Sequence, residues 1–328
     1  MQYRLQQCLM IMQKLLALLA DGDFHSGNEL GIEIGISRAA VWKRLQKIDE
    51  EYGLVVQSIP GKGYRLAHEL RLLKPDTLRA AFPSLPIYLY DSIASTNVQA
   101  KKLLVNLAAP FAVLAEHQTQ GRGRRGRQWS SPYGQNLYLS FVWPVSHGME
   151  QIDGLSLVVG LAVVRAIERV TGVSAQLKWP NDVLVDGCKV AGILLELVGD
   201  PADLCHVIIG IGVNLNMVGA QQNIEQEWTS LYKVTEQLVD RTQFAQCVLE
   251  QLERYLDKQT VYGFKSLKHE WQSLHAWHGC KVVLSSGHEL VNGQISGIGD
   301  KGEISLIVDG KECQYIGGEL SLRLQNDS

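Results

Sequence analysis

Cysteine is scarce in this sequence and scattered: Cys8, Cys188, Cys205, Cys247, Cys280 and Cys313 form no C-x-x-C pair and no Cys/His ligand spacing. That argues against a structural zinc site and gives a disulfide framework little support, so the cysteines read as reduced thiols in the cytosol. Proline is sparse, at 9 residues beside 31 glycines, and charged residues make up 20% of the chain. Neither a disordered nor a collagen-like protein has this composition. Charge of one sign is lacking too. The formal net charge is -3, so binding to nucleic acid or an anionic surface must come from a local patch. Finally, no apolar run is long enough to cross a bilayer. The best candidate, Cys8 to Ala20, is interrupted by Gln13 and Lys14 and lacks the charged start of a signal peptide. The expectation is a cytoplasmic protein with no membrane segment. At 328 residues, 46% of them hydrophobic, two or three domains with cores of useful size are expected.

Met12, Leu15, Leu16 and Leu19 fall at i, i+3, i+4 and i+7, one face of a first helix. Ser26-Gly27-Asn28-Glu29 matches a capping box that opens a second helix ending near Gly35. Ser37 is placed to cap a third, Arg38 to about Glu51, with Val41, Leu45 and Ile48 inward. Ala39, Lys43, Gln46 and Lys47 then take the opposite arc. Two short strands, within Leu54–Ser58 and Ile59–Leu66, follow around a Pro/Gly turn that carries Lys62. A short connection between helices two and three, plus a hairpin, is a winged helix-turn-helix, whose third helix enters the major groove while the wing touches backbone. Over residues 1–70 eight basic residues are balanced by eight acidic ones. Four of the basic residues, however, lie on helix three. Ser37, Arg38, Ala39, Lys43, Gln46, Lys47 and Lys62 are the candidate DNA contacts, Lys47 and Lys62 for phosphate. A protein–protein role for the module is the competing reading.

From about residue 68 the pattern becomes mixed α/β. Strands are expected at Ile87–Tyr90, Phe111–Ala115, Leu137–Trp143, Val183–Val185, Lys189–Leu197 and Val207–Leu215. Helices are expected at Thr96–Leu104, Ile152–Val170 and Thr242–Tyr255. The Asp186-Gly187 hairpin signal argues for a largely antiparallel sheet over a Rossmann domain. Between two of these strands runs Gln118-Thr119-Gln120-Gly121-Arg122-Gly123-Arg124-Arg125-Gly126-Arg127-Gln128-Trp129. Its glycines permit backbone N–H groups to converge on an anion, and its arginines offer planar donors for phosphate or carboxylate. Like charges and glycine predict a loop that is mobile when empty. Single-stranded nucleic acid binding and a localisation signal are the alternatives for such a run; its place inside a folded domain favours a small-anion cradle. It is not a P-loop. Lys178-Trp179-Pro180-Asn181-Asp182 forms a Pro-fixed corner to which the following hairpin returns Lys189, and Gly210-Ile211-Gly212-Val213-Asn214 is a strand whose glycines allow close approach. No Ser/His/Asp or Cys/His arrangement supports covalent catalysis. His275-x-x-His278 alone does not make a metal site, so no protein-held metal is expected.

Together these strings resemble the family of bifunctional biotin–protein ligases and biotin operon repressors. The matching pieces are Ser95-Thr96-Asn97, the Gly121–Arg127 loop, Lys178-Trp179-Pro180-Asn181-Asp182, Lys189-x-Ala191-Gly192, Gly210-x-Gly212-x-Asn214 and Gly317-Gly318-Glu319. The resemblance covers essentially the whole chain. It implies an α+β multidomain fold: a winged helix (1–67), a central mixed α/β ligase domain of the biotin/lipoate ligase type (68–275), and a C-terminal SH3-like β-barrel (276–328). The implied activity is formation of biotinyl-5′-AMP from biotin and ATP with Mg²⁺, then transfer of biotin to a lysine of the biotin carboxyl carrier protein of acetyl-CoA carboxylase. The implied adenylate-bound form is a homodimer that binds operator DNA of biotin biosynthesis genes. By position, Ser95, Thr96, Asn97, Gln118, Arg122, Gly123, Arg124 and Lys189 would hold biotin. Gly121, Arg122, Arg124, Arg127, Trp129, Lys178, Asn214 and Arg323 would hold ATP. Lys189, Arg124 and Asp182 would be catalytic, Asp182 as acceptor of the carrier lysine's proton. A ligand-sensing transcription factor without catalysis and a lipoate ligase are the other readings. Toward the C-terminus, strands are expected at Lys281–Leu284, Glu289–Val291, Gln294–Gly297, Glu303–Val308 and Glu312–Ile316, with turns at Asn292-Gly293, Asp300-Lys301-Gly302 and Asp309-Gly310.

Overall fold

The computed structural model describes residues 2–145, 149–199, 205–219, 226–286, 289–317 and 320–325, with side chains from Met10 onward except those of Asp49, Met149, Glu150 and Ser286. Three helices come first: α1 (Gln2–Leu19), α2 (Gly27–Ile34) and α3 (Arg38–Tyr52). The anticipated capping box opens α2. Glu29 N–H donates to Ser26 Oγ at 3.1 Å, and Ser26 N–H donates to Glu29 Oε2 at 2.9 Å. Gly35, in the left-handed region, closes that helix, and Ser37 Oγ accepts from Ala40 N–H to start α3. Leu15, Leu16 and Leu19 bury against Leu30, Val41, Leu45 and Ile48, the expected inward faces. The hairpin β1 (Val56–Ile59) and β2 (Gly63–Leu66) is shorter than anticipated. His25 pairs with Tyr64 beside it, and a Cβ at Gly63 would meet the His25 carbonyl oxygen at 2.1 Å.

The central part contains α4 (Pro75–Ala81), β3 (Ile87–Ile93), α5 (Thr96–Leu104), β4 (Phe111–Gln118), β5 (Leu137–Val145) and α6 (Leu155–Thr171). It continues through β6 (Gln176–Lys178), β7 (Asp182–Val185), β8 (Cys188–Gly199), β9 (Cys205–Val213), α7 (Leu231–Thr235), α8 (Arg241–Tyr262) and α9 (Lys268–Ser273). Its seven strands lie in the order β3-β4-β5-β9-β8-β7-β6. Only β3–β4 among the described pairs of this sheet is parallel, so the sheet is mixed and largely antiparallel, as the hairpin signals implied. Alternation sorts its two faces. On β4, Ala112 and Leu114 join the large core under α6 and α8, whereas Phe111 and Val113 pack with Ala100 of α5 and Ile208. Gly210 and Gly212 share the parity of Ile208, and there that second face carries no bulk.

The C-terminal strands are β10 (Lys281–Ser286), β11 (Glu289–Ile298), β12 (Ile304–Val308), β13 (Lys311–Tyr315) and β14 (Ser321–Leu324). They form an antiparallel sheet in the order β13-β12-β11-β10-β14, consistent with an SH3-like fold. No pairing between the β13 and β14 edges closes it into a barrel among the described residues. Two sequence expectations need correction. Asn292 and Gly293 lie inside β11, paired with Val283 and Val282, and are not a turn. Gly293 serves instead for close strand approach, since a Cβ there would sit 3.0 Å from the Ile307 carbonyl oxygen. The fifth strand is β14, which the composition did not reveal. Val282, Leu284, Ile304, Leu306 and Leu322 belong to the same apolar cluster as α6 and α8. Trp179 Nε1 donates to the Gly302 carbonyl at 3.0 Å, which ties this sheet to the 178–182 corner.

Candidate active site

The glycine-floored face opens as a cleft of ≈ 900 Å³. It is lined by the start of α5, the 122–130 loop, the 178–182 corner, β8, β9 and β14. Ser95, Thr96, Asn97, Gln118, Arg122, Gly123, Arg124, Arg127, Trp129, Lys178, Asp182, Lys189, Asn214 and Arg323 all line it. Gly121 does not. It borders a smaller cavity of ≈ 210 Å³ behind the loop, and Trp129 O and Ser131 Oγ leave no room for a Cβ there.

At one end, Thr96 donates to Gln118 Oε1 through both its N–H (2.9 Å) and its hydroxyl (3.1 Å), and Gln118 Nε2 donates to Ser131 Oγ at 3.0 Å. The loop between makes backbone hydrogen bonds of its own. Arg122 bridges Gln128, Gly123 N–H donates to Arg127 O, and Trp129 N–H donates to Gly121 O. The Gly123 and Trp129 amides, two of those expected to converge on an anion, are therefore spent within the loop. Arg124 reaches across the cleft, donating to Asn181 Oδ1 at 2.7 Å and to the Leu320 carbonyl at 3.1 Å. Arg125 and Arg127 are exposed.

The floor explains its glycines. A Cβ at Gly212 would stand 2.5 Å from Trp129 Cε2, and one at Gly210 2.4 Å from Asn97 Oδ1. The close approach read from the sequence is thus made by the protein's own Trp129 and Asn97. Lys189 Nζ lies 2.5 Å from Asp182 Oδ1, the side chains 19% and 11% exposed, and 5.5 Å from the Trp129 ring centre. The hairpin returns Lys189 to the corner because Asp186 and Gly187 take the left-handed conformations of a tight turn. Lys178 Nζ sits 4.4 Å from the Trp277 ring centre. Asn214 Nδ2 donates to the Thr229 carbonyl at 3.0 Å, and Asn136 Nδ2 lies 3.5 Å from its Oδ1, so its amide is held by protein groups.

Sequence reasoning placed Asn181 in the 178–182 corner without its bond from Arg124, and it missed Ser131, Leu320 and Glu196, which reach the site through long-range contacts. Only Glu196 left a signal, since it shares strand parity with Gly192 and Leu194. Ser37, just before α3, and Arg38, Ala39, Lys43, Gln46 and Lys47 on it are exposed. Ser37 Oγ is used as a cap, and Lys47 faces Glu51 at 3.9 Å. Lys62, in the wing turn, lies 6.0 Å from the Phe24 ring centre. Trp42, 51% exposed in the middle of the α3 stripe, was also missed.

A family model described as an HTH domain matches residues 11–65, and one described as the biotin/lipoate A/B protein ligase family matches residues 89–214. Over 310 residues the chain is 36% identical to the bifunctional ligase/repressor BirA of Salmonella typhimurium, spanning 94% of this chain and 96% of that protein. It is 32% identical over 295 residues to the Bacillus subtilis protein of the same description, spanning 88% and 90%. A solved biotin protein ligase from Aquifex aeolicus in complex with biotin and ATP matches with a TM-score of 0.67 and 33% identity, covering 73% of this chain and 99% of that one. The chain belongs to the bifunctional biotin ligase/repressor family.

Proposed function

We propose that this chain joins biotin to AMP in the 900 Å³ cleft, transfers the biotinyl group to a carrier lysine, and represses transcription through its winged helix. The observation that carries the reading is the convergence on one cleft of the Thr96–Gln118 pair, the Arg122 and Arg124 side chains, and the Lys189–Asp182 pair. The three-part division at residues 67/68 and 275/276 belongs to the same reading.

Biotin's carboxylate is ionised at neutral pH and needs no general base. One of its oxygens attacks the α-phosphorus of ATP, the bond to the β-phosphate oxygen breaks, and pyrophosphate leaves. The obstacle is two anions meeting. Lys189 and the loop arginines offset that charge and align the groups. In the second step the carrier lysine attacks the acyl carbon, AMP leaves with the phosphate oxygen, and the amine loses a proton. Asp182 holds Lys189 in the resting cleft and is the carboxylate at hand to take that proton. Trp129, Lys178, Asn214, Arg127 and Arg323 form the nucleotide side; Ser95, Thr96, Asn97, Gln118 and Gly123 form the biotin side. Asp182 and Glu227 are the carboxylates among the described lining residues. They fit Mg²⁺ that is held chiefly by phosphate oxygens and water, where it would offset triphosphate charge.

The acceptor is the biotin carboxyl carrier protein of acetyl-CoA carboxylase. The DNA is the operator of biotin biosynthesis genes, read by Ser37, Arg38, Ala39, Lys43, Gln46, Lys47 and Lys62 in an adenylate-bound homodimer. The same reading places the chain in the cytoplasm; no helix of the described residues is long and apolar enough to cross a membrane. ATP-dependent incorporation of labelled biotin, but not lipoate, into a carrier domain tests the enzymatic reading. Failure with biotin, or equal labelling by lipoate, overturns it.

A further inference from the structure

Asn97 and Arg122 share a carboxylate that no motif contains. Glu196 stands on the cleft face of β8, two residues beyond Leu194. Its Oε2 accepts from Asn97 Nδ2 at 2.8 Å, and its Oε1 lies 3.3 Å from Arg122 Nη1. The other end of the Asn97 amide is fixed as well, because Ser140 Oγ donates to Asn97 Oδ1 at 2.5 Å. Turning the amide over would set Nδ2 against the Ser140 hydroxyl and Oδ1 against the Glu196 carboxylate, losing the bond to Glu196, so these partners fix its orientation. Asn97 and Arg122 lie on different segments, the first turn of α5 and the basic loop, and the two oxygens of one carboxylate set their spacing.

We propose that Glu196 is the positioning residue of the cleft, seating Arg122 against the biotin end while it holds the Asn97 amide in one orientation. This rests on the function proposed above. The loop carries four arginines within six residues, and their mutual repulsion drives Arg122 outward. A fixed carboxylate on the sheet offsets that repulsion and draws Arg122 back. The ion pair is partly exposed, with side chains 54% and 34% accessible. A pair so placed is weak: enough to bias the arginine toward the cleft, yet easily exchanged for the carboxylate or phosphate of a ligand. Glu196 touches no reacting atom, so its removal acts on ligand capture and retention and leaves the chemical step alone.

Glu196→Gln in the full chain separates the two contacts. The glutamine carbonyl still accepts from Asn97, while the charge that draws Arg122 is gone. The expected result is a KM for biotin raised about fivefold and release of biotinyl-5′-AMP accelerated about fivefold. The rate of pyrophosphate release at saturating biotin should stay within about twofold of wild type. Both defects should shrink as ionic strength rises. Adding Arg122→Gln should bring no further loss beyond Arg122→Gln alone, because the two groups act through one contact. Wild-type KM and release in Glu196→Gln, or multiplying defects in the double variant, overturn the proposal. Should Glu196→Gln not fold, the salt series on Arg122→Gln beside wild type decides: adenylate retention in wild type that is indifferent to salt overturns it. A wild-type chain with no biotin-dependent pyrophosphate release points instead to failure of the ligase reading itself.

Discussion

At the scale of single residues, Lys189 carries the heaviest chemical assignment. Its ammonium is held by Asp182 above the Trp129 ring, in a site where the groups that balance anionic charge are already in place. Lys189→Ala should slow adenylate formation about 100-fold while changing equilibrium biotin binding far less. Pyrophosphate release measured beside biotin binding checks this, and equal losses in both would remove the transition-state role. His275 makes a different prediction. It is buried against Trp271, neither ring nitrogen has a hydrogen-bond partner among the described residues, and burial, with His278 nearby, pushes its pKa down to about 4. The unfolded chain therefore binds a proton that the folded chain refuses between about pH 6.5 and 4, and stability falls as pH drops through that window, by about 3 kcal/mol in full. His275→Phe should flatten the Tm profile there. An unchanged slope would show that His275 is not responsible.

At the scale of elements, much was legible because periodicity and turn chemistry are local. The span Thr96–Leu104 is a helix as anticipated, the Ser26–Glu29 box caps α2, and Asp186-Gly187 turns the β7–β8 hairpin. Asn292-Gly293 carries an equally good turn signal and yet continues a strand, since its neighbours on β10 and β12 decide its conformation. The glycines of β9 show the same limit. Their small size was legible, whereas the partners they accommodate, Trp129 and Asn97, come from segments some 80 to 115 residues away and could not be read from spacing. Gly212→Ala would force Trp129 off the sheet. The expected cost is about 1–3 kcal/mol of stability together with a raised KM for ATP and little change in KM for biotin. A KM for ATP like wild type's would separate Trp129 from the nucleotide.

At the scale of the whole molecule, three consecutive residues at the end of β4 join the parts of the chain. Glu116 accepts from the Leu73 N–H at 2.7 Å and pairs with the fully buried Arg241 of α8. His117, whose pKa burial lowers, packs its ring at a tilt against Tyr52 at the end of α3. Gln118 meets Thr96 at the cleft. Arg241→Met would leave Glu116 as an unpaired buried charge and should cost about 3–5 kcal/mol, most of it recovered when Glu116→Gln is added. Thermal unfolding of the single and double variants measures this, and additive losses would contradict it. The same strand end brings α3 of the helix-turn-helix module, through Tyr52 on His117, within one residue of Gln118 in the cleft. Binding of the full chain to DNA from upstream of biotin biosynthesis genes then reports on the cleft. It is to be titrated with biotin plus ATP or with preformed biotinyl-5′-AMP, for wild type and Lys189→Ala. Biotin plus ATP should tighten wild-type binding about tenfold or more and leave Lys189→Ala unmoved over the time in which wild type responds, while the preformed adenylate restores the variant at once. A Lys189→Ala chain that answers biotin plus ATP as wild type does would contradict a single cleft serving both ligation and repression.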